Sequence, residues 1–266
     1  MIKVSKVDEP DVLKANKAQW TKDLMALIVK YGSYRDIPQQ EKSFAVKNYS
    51  HPDISLALKG VHAKAKCVYC EAYVDVTGYA TIEHFHPKSL YPNETFEWDN
   101  LFVGCSVCNT PKNSFDTGKE PFIHPIIDDP EDYLTFDNLQ YVPKHAAGIA
   151  YQKAQNVIEN CKLQRLALVR EHAELLITFL KTRDSLVNKI KNYNEHTRAQ
   201  KKLEDAAEIF SSLDELNKEA ADDAQYAGFI RYLLRKYDAI KQAVAIINAH
   251  KVDLGLPDGF IWSFEF

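Results

Sequence analysis

The sequence lacks any long apolar run. Charged residues interrupt each apolar stretch before it could span a membrane, and residues Met1–Pro10 contain no apolar core of a secretory signal. We therefore expect a cytoplasmic protein without membrane contact. A glycine-rich Gly-Lys-Ser/Thr phosphate loop is also missing, so we do not expect this chain to hydrolyse ATP itself.

An excess of positive charge is missing as well. The 266 residues carry a formal net charge of -4, and residues 61–120 contain five lysines against eight carboxylates, a net charge of -3. Such a chain is not a basic protein that binds bare nucleic acid tightly by itself. With 45% hydrophobic and 26% charged residues it is an ordinary globular protein of one or two domains.

Cysteine is scarce, but four of the five cysteines form two pairs, Cys67-Val-Tyr-Cys70 and Cys105-Ser-Val-Cys108. Paired Cys-x-x-Cys turns in a chain without a secretory signal indicate metal ligation rather than disulfides. Four thiolates fill the shell of one tetrahedral Zn²⁺, so the predicted zinc site is structural. Cys161 stands apart and is expected to be a small buried residue.

Helical periodicity dominates both ends of the chain. Pro10–Gly32 is predicted as a first helix, residues 34–60 as short helices or loop, Lys153–Tyr193 as one long or two stacked helices, and Ala220–His250 as a further helical stretch. Two β-prone runs, Tyr73–Val76 and Tyr79–His84, flank Thr77-Gly78 and suggest a hairpin. In the tail, Phe260, Trp262, Phe264 and Phe266 alternate, and either this chain or a partner is expected to cover them.

The residues between the cysteine pairs are suited to phosphodiester hydrolysis. Glu83 and Asn109 offer the hard oxygen ligands that Mg²⁺ or Mn²⁺ takes. His84, beside Glu83, has an imidazole able to accept a proton from water. The Asn100 amide is expected to brace the loop and fix the His84 ring.

This order of residues resembles the HNH endonuclease family, whose motif has an acidic residue before a histidine, a middle asparagine, and a His or Asn on a helix. Glu83-His84, Asn100 and Asn109 match those places. The resemblance implies an α+β protein with a small ββα-metal core, clipped by the Cys₄ zinc site and flanked by helices. It divides the chain into an N-terminal helical segment, 1–60, that could dock a partner, a nuclease core, 61–127, and a helical C-terminal domain, 128–266.

A longer string is similar to the HNH nuclease subunit of Septu-type bacterial anti-phage systems, including those attached to retrons. It comprises Cys67-x-x-Cys70-Glu71, Ile82-Glu83-His84-Phe85-x-Pro87-Lys88-Ser89, Tyr91-Pro92, Trp98-x-Asn100-Leu101 and Cys105-x-x-Cys108-Asn109-x-x-Lys112. This resemblance implies an ATPase partner and cleavage of DNA or, in retron contexts, tRNA.

The resemblance also extends to residues around the motif. Lys112 matches a recurrent lysine and is expected to meet phosphate, while His86 and Lys88 are candidates for substrate contact. Glu83 stands where Asp is common, and Asn109 stands where many members have His. Two other hypotheses stay open at this point: a toxin-like tRNA or RNA nuclease using the same site, and an inactive zinc-dependent module that only recruits nucleic acid or protein.

Overall fold

The structure is a computed structural model that describes residues 1–61, 65–74, 80–257 and 260–264. Internal contacts group the chain into two compact units, Met1–Arg165 and Leu166–Phe266. The sequence placed a change of character near residue 128, whereas the contacts keep residues 128–165 with the unit that holds both cysteine pairs. The division into three segments stays a prediction about independent domains.

Helix α1 spans Asp11–Tyr31, as the sequence predicts. Pro10 starts it, since its fixed φ suits the position before a helix, which needs no donated backbone hydrogen bond. Gly32 ends it with a φ of 88°, a conformation that glycine adopts without strain, and its N–H donates to the Ile28 carbonyl. Leu13 and Leu24 are fully buried and attach the helix to the first unit.

Short helices fill the stretch that the sequence left mixed. Helix α2 spans Gln39–Val46, a 3₁₀ turn spans Lys47–Ser50, and α3 spans Pro52–Val61. Ile54 and Leu58, one helical turn apart on α3, are both buried. Because they share one face of the helix, that face packs into the core.

Two strands and a helix form the centre of the first unit. Strand β1, Ala80–His84, pairs antiparallel with β2, Leu101–Cys105, and Glu83 lies opposite Phe102. Two 3₁₀ turns, Pro92–Glu94 and Trp98–Asn100, lie in the loop between them. Helix α4, Ser106–Lys112, follows β2 directly. This ββα order agrees with the fold class predicted from the sequence.

The described residues of the expected hairpin pair with other partners. The described part of its second run, Ala80–His84, pairs with β2 rather than with the preceding residues, and Tyr73 instead forms a single antiparallel bridge with Lys66. The first run lies against the residues just before the cysteine turn, since the Val74 N–H donates to the Ala65 carbonyl. The periodicity of a short run does not reveal that its pairing partner lies elsewhere in the sequence. Val76, Thr77, Gly78 and Tyr79 lie outside the described residues.

The first unit continues with α5, Pro130–Tyr133, strands β3, Leu134–Asp137, and β4, Gln140–Pro143, and helix α6, Gly148–Asn160. The β3–β4 hairpin was not expected, because the sequence assigned everything after residue 127 to helices. Its turn residues, Asn138 and Leu139, both have positive φ. A two-residue turn of this kind usually contains glycine, so the familiar signal is missing.

The second unit is helical: α7 spans Leu166–Glu195, α8 Ala199–Glu219, α9 Ala227–Lys236 and α10 Asp238–Ala249. The periodic stretch from Lys153 to Tyr193 therefore consists of two helices, α6 and α7, separated by residues 161–165. The predicted stretch from Ala220 to His250 likewise breaks at Tyr237. Helix α8 was not predicted. No helix in the described ranges has the length and apolarity needed to cross a lipid bilayer.

The described part of the aromatic tail packs against its own chain. The rings of Phe260 and Trp262 pack against the ring of Phe210 of α8, with centroid distances of 6.0 and 6.2 Å. The Ser263 N–H donates to the Asn217 side-chain oxygen, and Phe264 is buried. Of the two alternatives open from the sequence, these contacts favour covering by the chain itself. Phe266 lies outside the described residues.

Candidate active site and metal centre

The two cysteine pairs converge at one point. The sulfur atoms of Cys67, Cys70, Cys105 and Cys108 all lie within 4.8 Å of one another, and all four residues are buried. Cys70 Sγ and Cys105 Sγ are 3.8 Å apart. That is the edge of a tetrahedron with metal–sulfur bonds of about 2.3 Å, the length of Zn–S bonds. The donor set therefore fits a closed Zn²⁺ site with no position for water.

Each cysteine pair belongs to an element of the ββα core. The first pair forms a tight turn that the Val68 N–H ties to the Val103 carbonyl of β2. In the second pair, Cys105 is the last residue of β2 and caps α4, while Cys108 lies in the first turn of α4. The Arg165 guanidinium lies 3.6 Å from Cys108 Sγ and offsets the negative charge of the thiolates. Arg165 was not predicted from the sequence, because it lies 57 residues from Cys108 and no motif links the two.

A cavity of about 210 Å³ opens at the end of β1. It brings together four of the residues predicted from the sequence, namely Glu83, His84, Lys88 and Asn109. Three other predicted residues, His86, Asn100 and Lys112, do not line it. The lining residues within the described part of the chain are Tyr34, Ile82, Glu83, His84, Pro87, Lys88, Ser89, Asn109 and Asn113.

Gly104 allows β1 and α4 to approach each other in this cavity. A β-carbon added at Gly104 would lie 3.2 Å from Glu83 Cβ and 3.7 Å from Asn109 Cβ. The β-carbons of Glu83 and Asn109 are therefore at most about 6.9 Å apart. A carboxylate and an amide at this separation can reach a common ion.

The Glu83 carboxylate is buried and held through one oxygen. Glu83 Oε1 accepts a hydrogen bond of 2.9 Å from the Tyr69 hydroxyl and lies 2.5 Å from Lys112 Nζ. Burial raises the pKa of Glu83, and the Lys112 ammonium opposes that shift. Among the described residues, none donates to Oε2. One oxygen of a well-anchored carboxylate is therefore available on the cavity side.

The His84 imidazole has a defined tautomer. Its Nε2 lies 3.0 Å from the Thr95 carbonyl, which can only accept, so Nε2 carries the proton and Nδ1 carries the lone pair. Burial, with a contribution from the nearby Lys88 cation, lowers the pKa of His84 to about 3. The ring is neutral at physiological pH. Tyr49 packs edge-on against it at a centroid distance of 4.8 Å.

Asn100 fixes the loop that carries the Thr95 carbonyl. Its Oδ1 accepts from the His86 N–H at 2.6 Å, and its Nδ2 donates to the carbonyls of His86 and Glu94 at 3.1 and 3.0 Å. Glu94 directly precedes Thr95, whose carbonyl bonds to His84 Nε2. By holding the Glu94 carbonyl, Asn100 therefore also restrains the position of the His84 ring. The placement matches the bracing position expected from the sequence.

Asn109 presents an oxygen to the cavity. Its Nδ2 donates to the Thr81 hydroxyl at 2.9 Å, and that hydroxyl donates to the Gly104 carbonyl at 2.9 Å. The direction of this chain leaves Asn109 Oδ1 without a donor among the described residues. Two oxygens, Glu83 Oε2 and Asn109 Oδ1, are then the available acceptors.

The two lysines of the motif have different surroundings. Lys112 is 1% exposed, and its ammonium contacts three acceptors: Glu83 Oε1, the His84 carbonyl at 2.9 Å and the Phe85 carbonyl at 3.0 Å. An ammonium has three N–H groups, so none remains for the phosphate contact expected from the sequence. Lys88 instead lines the cavity, and burial lowers its pKa.

His86 belongs to the loop rather than to the cavity. The Thr117 hydroxyl donates to the Phe85 carbonyl at 2.7 Å, so it accepts from His86 Nδ1, 3.1 Å away. The ring also packs against Phe85 and Tyr91 at 4.9 and 5.0 Å between centroids. Its surroundings suit packing better than proton transfer.

Three tyrosines of the site were missed from the sequence. Tyr34 lines the cavity, Tyr49 contacts His84, and Tyr69 anchors Glu83. Tyr34 and Tyr49 come from the N-terminal segment, which carries no motif. Tyr69 lies between the cysteines of the first pair. Its position inside a metal-binding turn is the one sequence feature that could have suggested a functional role for it.

Comparison with known proteins agrees with this geometry. Residues 67–115 match the HNH endonuclease family, and they contain both cysteine pairs, β1, β2 and α4. The ββα core with its four-cysteine cluster is thus that of an HNH endonuclease, an enzyme that hydrolyses nucleic acid.

Two curated relatives extend the similarity beyond the core. The chain is 30% identical over 189 residues to Septu protein PtuB of Bacillus thuringiensis, covering 70% of each chain. It is 26% identical over 205 residues to Septu protein PtuB of Bacillus mycoides (strain KBAB4), covering 66% of this chain and 67% of the relative. The chain belongs to the Septu PtuB family.

Proposed function

We propose that this enzyme cleaves phosphodiester bonds in DNA with one divalent cation, Mg²⁺ or Mn²⁺, held by Glu83 and Asn109. The observation that carries the proposal is that three acceptors, which receive no hydrogen bond from the described residues, belong to side chains lining one cavity. They are Glu83 Oε2, Asn109 Oδ1 and His84 Nδ1. Two are hard oxygens suited to a hard cation, and one is a nitrogen base.

The two oxygen ligands favour a hard cation such as Mg²⁺ or Mn²⁺ over a softer metal ion. Neither Glu83 nor Asn109 offers sulfur or nitrogen, and the four cysteines lie in their own closed cluster. A bound Mg²⁺ or Mn²⁺ would supply charge neutralisation at the phosphate and at the leaving oxygen. Lys112 and Tyr69 hold Oε1 so that Oε2 keeps one direction, which is a positioning role.

His84 is proposed as the general base. Its Nδ1 accepts a proton from water while the water oxygen forms a bond to phosphorus and the bond to the leaving oxygen breaks. The Thr95 carbonyl holds Nε2–H and thereby aims Nδ1, and Asn100 secures that carbonyl through Glu94. A placed base of this kind contributes a factor of roughly 10²–10⁴ in rate.

Lys88 is proposed as the cation that contacts the phosphate. It lines the same cavity as Glu83 and His84, and no carboxylate in the described part of the chain pairs with it. Lys112 cannot share this role because its donors are already used. His86, which the sequence also suggested, is proposed to stabilise the loop.

We further propose that the enzyme acts in the cytoplasm in anti-phage defence, together with an ATPase partner. The support is its membership of the Septu PtuB family and the resemblance of its motif to Septu nuclease subunits. The acidic charge of residues 61–120 also favours delivery of substrate by a partner complex, because such a module repels phosphate before its cation binds.

The experiment compares wild type, His84→Ala and His86→Ala with the partner and Mg²⁺ or Mn²⁺ present. Each protein is offered supercoiled plasmid, single-stranded DNA and tRNA. We expect wild type to nick plasmid, His84→Ala to lose at least about 100-fold in rate, and His86→Ala to retain most activity. Equal cleavage by wild type and His84→Ala would remove His84 from the mechanism.

The other arms separate the alternatives. Cleavage of tRNA without cleavage of DNA would make the enzyme an RNA nuclease on the same site. Absence of cleavage with every substrate and metal, despite bound zinc, would support the inactive recruiting module instead.

A further inference from the structure

The segment from Tyr34 to Tyr49 begins at the catalytic cavity and ends against His84, one of the residues that line it. Tyr34 lines the cavity at one end. At the other end Tyr49 packs against His84, and the Lys88 ammonium lies 5.3 Å above the Tyr49 ring. Helix α2 connects these ends. Whatever this segment presents to solvent therefore lies beside the cavity.

The segment from Tyr34 to Tyr49 carries three cations, Arg35, Lys42 and Lys47, against the carboxylates of Asp36 and Glu41, a net charge of +1. Lys42 Nζ lies 5.2 Å from the centre of the Tyr34 ring, and Lys47 is exposed. Neither lysine has an ion-pair partner in the described ranges. The acidic neighbour Glu41 is taken up by Lys30 and Tyr31 instead. The local charge is thus opposite in sign to that of residues 61–120.

An exposed aromatic ring lies between these lysines. Phe44 of α2 is 69% exposed, and the Lys47 ammonium lies 4.1 Å from the centre of its ring. An exposed ring beside a cation offers a face on which a planar base can stack. Aromatic rings flanked by cations are the surface that unpaired bases and their phosphates occupy in proteins that bind single strands.

We propose that Lys42, Phe44 and Lys47 form a binding surface for a single-stranded stretch of the nucleic acid next to the bond that is cut. The inference rests on the proposed function for the position of that bond. In this arrangement Phe44 stacks on a base. Lys42 and Lys47 contact phosphates of the strand that continues from the phosphate held by Lys88. The eight residues of α2 span about 12 Å, and Lys47 follows directly after them.

The test measures binding separately from cleavage. Full-length protein carrying His84→Ala is titrated against a fluorescent single-stranded oligonucleotide at several salt concentrations, without added divalent metal or chelator. In this background Lys42→Gln and Lys47→Gln are each expected to reduce the slope of log affinity against log salt by about 0.7. Lys22→Gln, an exposed lysine of α1 without an ion pair, is the matched control and should leave the slope unchanged.

Phe44 is tested by a graded series in the same background. Phe44→Ala is expected to weaken binding by roughly 5- to 150-fold with an unchanged salt slope. Phe44→Trp should keep the affinity because it keeps a stacking ring, whereas Phe44→Leu should not. DNA and RNA oligonucleotides are run in parallel to show which sugar the surface prefers.

Slopes for the Lys42 and Lys47 variants that match Lys22→Gln, or equal binding by Phe44→Ala and the parent, would overturn the inference. It would also be overturned if these variants lost only the ATPase partner and kept the oligonucleotide. Failure of the proposed function has a different signature: binding responds to the three residues, but wild type cuts no nucleic acid.

Discussion

Replacing Tyr69 with Phe tests how the zinc clip positions the proposed cation ligand. The Tyr69 hydroxyl makes the one hydrogen bond from the cysteine turn to Glu83 in the described ranges, and it donates to Oε1 at 2.9 Å in a fully buried setting. Phe keeps the ring and removes one hydroxyl. Lys112 would then hold the carboxylate alone, so Oε2 would have more freedom.

Tyr69→Phe is expected to change both the stability of the fold and the affinity for the catalytic cation. A buried hydrogen bond to a charged group contributes about 1.5–3 kcal/mol, and each kcal/mol corresponds to about 2–4 °C in a protein of this size. We therefore expect the melting temperature to fall by roughly 3–12 °C. Loss of a residue that orients a metal ligand typically costs 10- to 100-fold in metal affinity. The Mg²⁺ or Mn²⁺ concentration for half-maximal cleavage should rise by about that factor, with recovery at saturating metal.

Tyr141→Phe is the matched control. Tyr141 is another buried tyrosine of the first unit, but its hydroxyl bonds to Glu71 rather than to Glu83. It should lower the melting temperature without shifting the metal dependence. If Tyr69→Phe shifts only the melting temperature, as Tyr141→Phe does, the hydroxyl contributes to stability alone and the positioning argument is refuted.

Three further predictions address the other parts of the site. Lys112→Met should destabilise the fold by about 3–5 kcal/mol in denaturant unfolding, since it leaves the Glu83 charge buried without its lysine partner. Lys88→Gln should instead lower the rate of cleavage and leave the fold intact. The opposite pattern would indicate that Lys112, and not Lys88, contacts the phosphate. Removing zinc with a thiophilic chelator should unfold the ββα core and abolish cleavage together, and a folded core without zinc, seen by circular dichroism, would contradict a structural site. Because the pKa of His84 is lowered to about 3, its neutral form stabilises the fold above the reference value of about 6.5 and this contribution is lost as pH falls toward 3. NMR of the ring carbons should accordingly show no His84 titration between about pH 8 and pH 5, and a midpoint near the reference value would contradict the buried, singly oriented ring.

The parts of the site that the sequence predicted are those carried by short, fixed spacings. Cys67–Cys70, Cys105–Cys108 and Glu83-His84 are local pairs whose chemistry does not depend on the rest of the fold. Asn100 and Asn109 could be added because the order of the motif is itself informative. Helix α1 was predictable for a similar reason, since Pro10 and Gly32 mark its ends.

What the sequence could not reveal depends on which groups share a space. Lys88 and Lys112 look equivalent in the sequence, but one lines the cavity and the other is buried with three acceptors. Tyr34 and Tyr49 reach His84 and its cavity only through tertiary packing of a segment without a motif. The partner of β1 was also missed, because β2 lies beyond a loop of 16 residues, and a nearer run satisfied the local pattern.

The most direct test of the account is to locate the catalytic cation itself. Crystals of the wild-type enzyme and of Glu83→Ala would be soaked in Mn²⁺, and the anomalous signal of the metal would be mapped. We predict one Mn²⁺ bonded to Glu83 Oε2 and Asn109 Oδ1 in the wild type, facing His84 Nδ1, and none there in Glu83→Ala. A cation bound elsewhere, or one at this cavity that survives the loss of the carboxylate, would contradict the central claim.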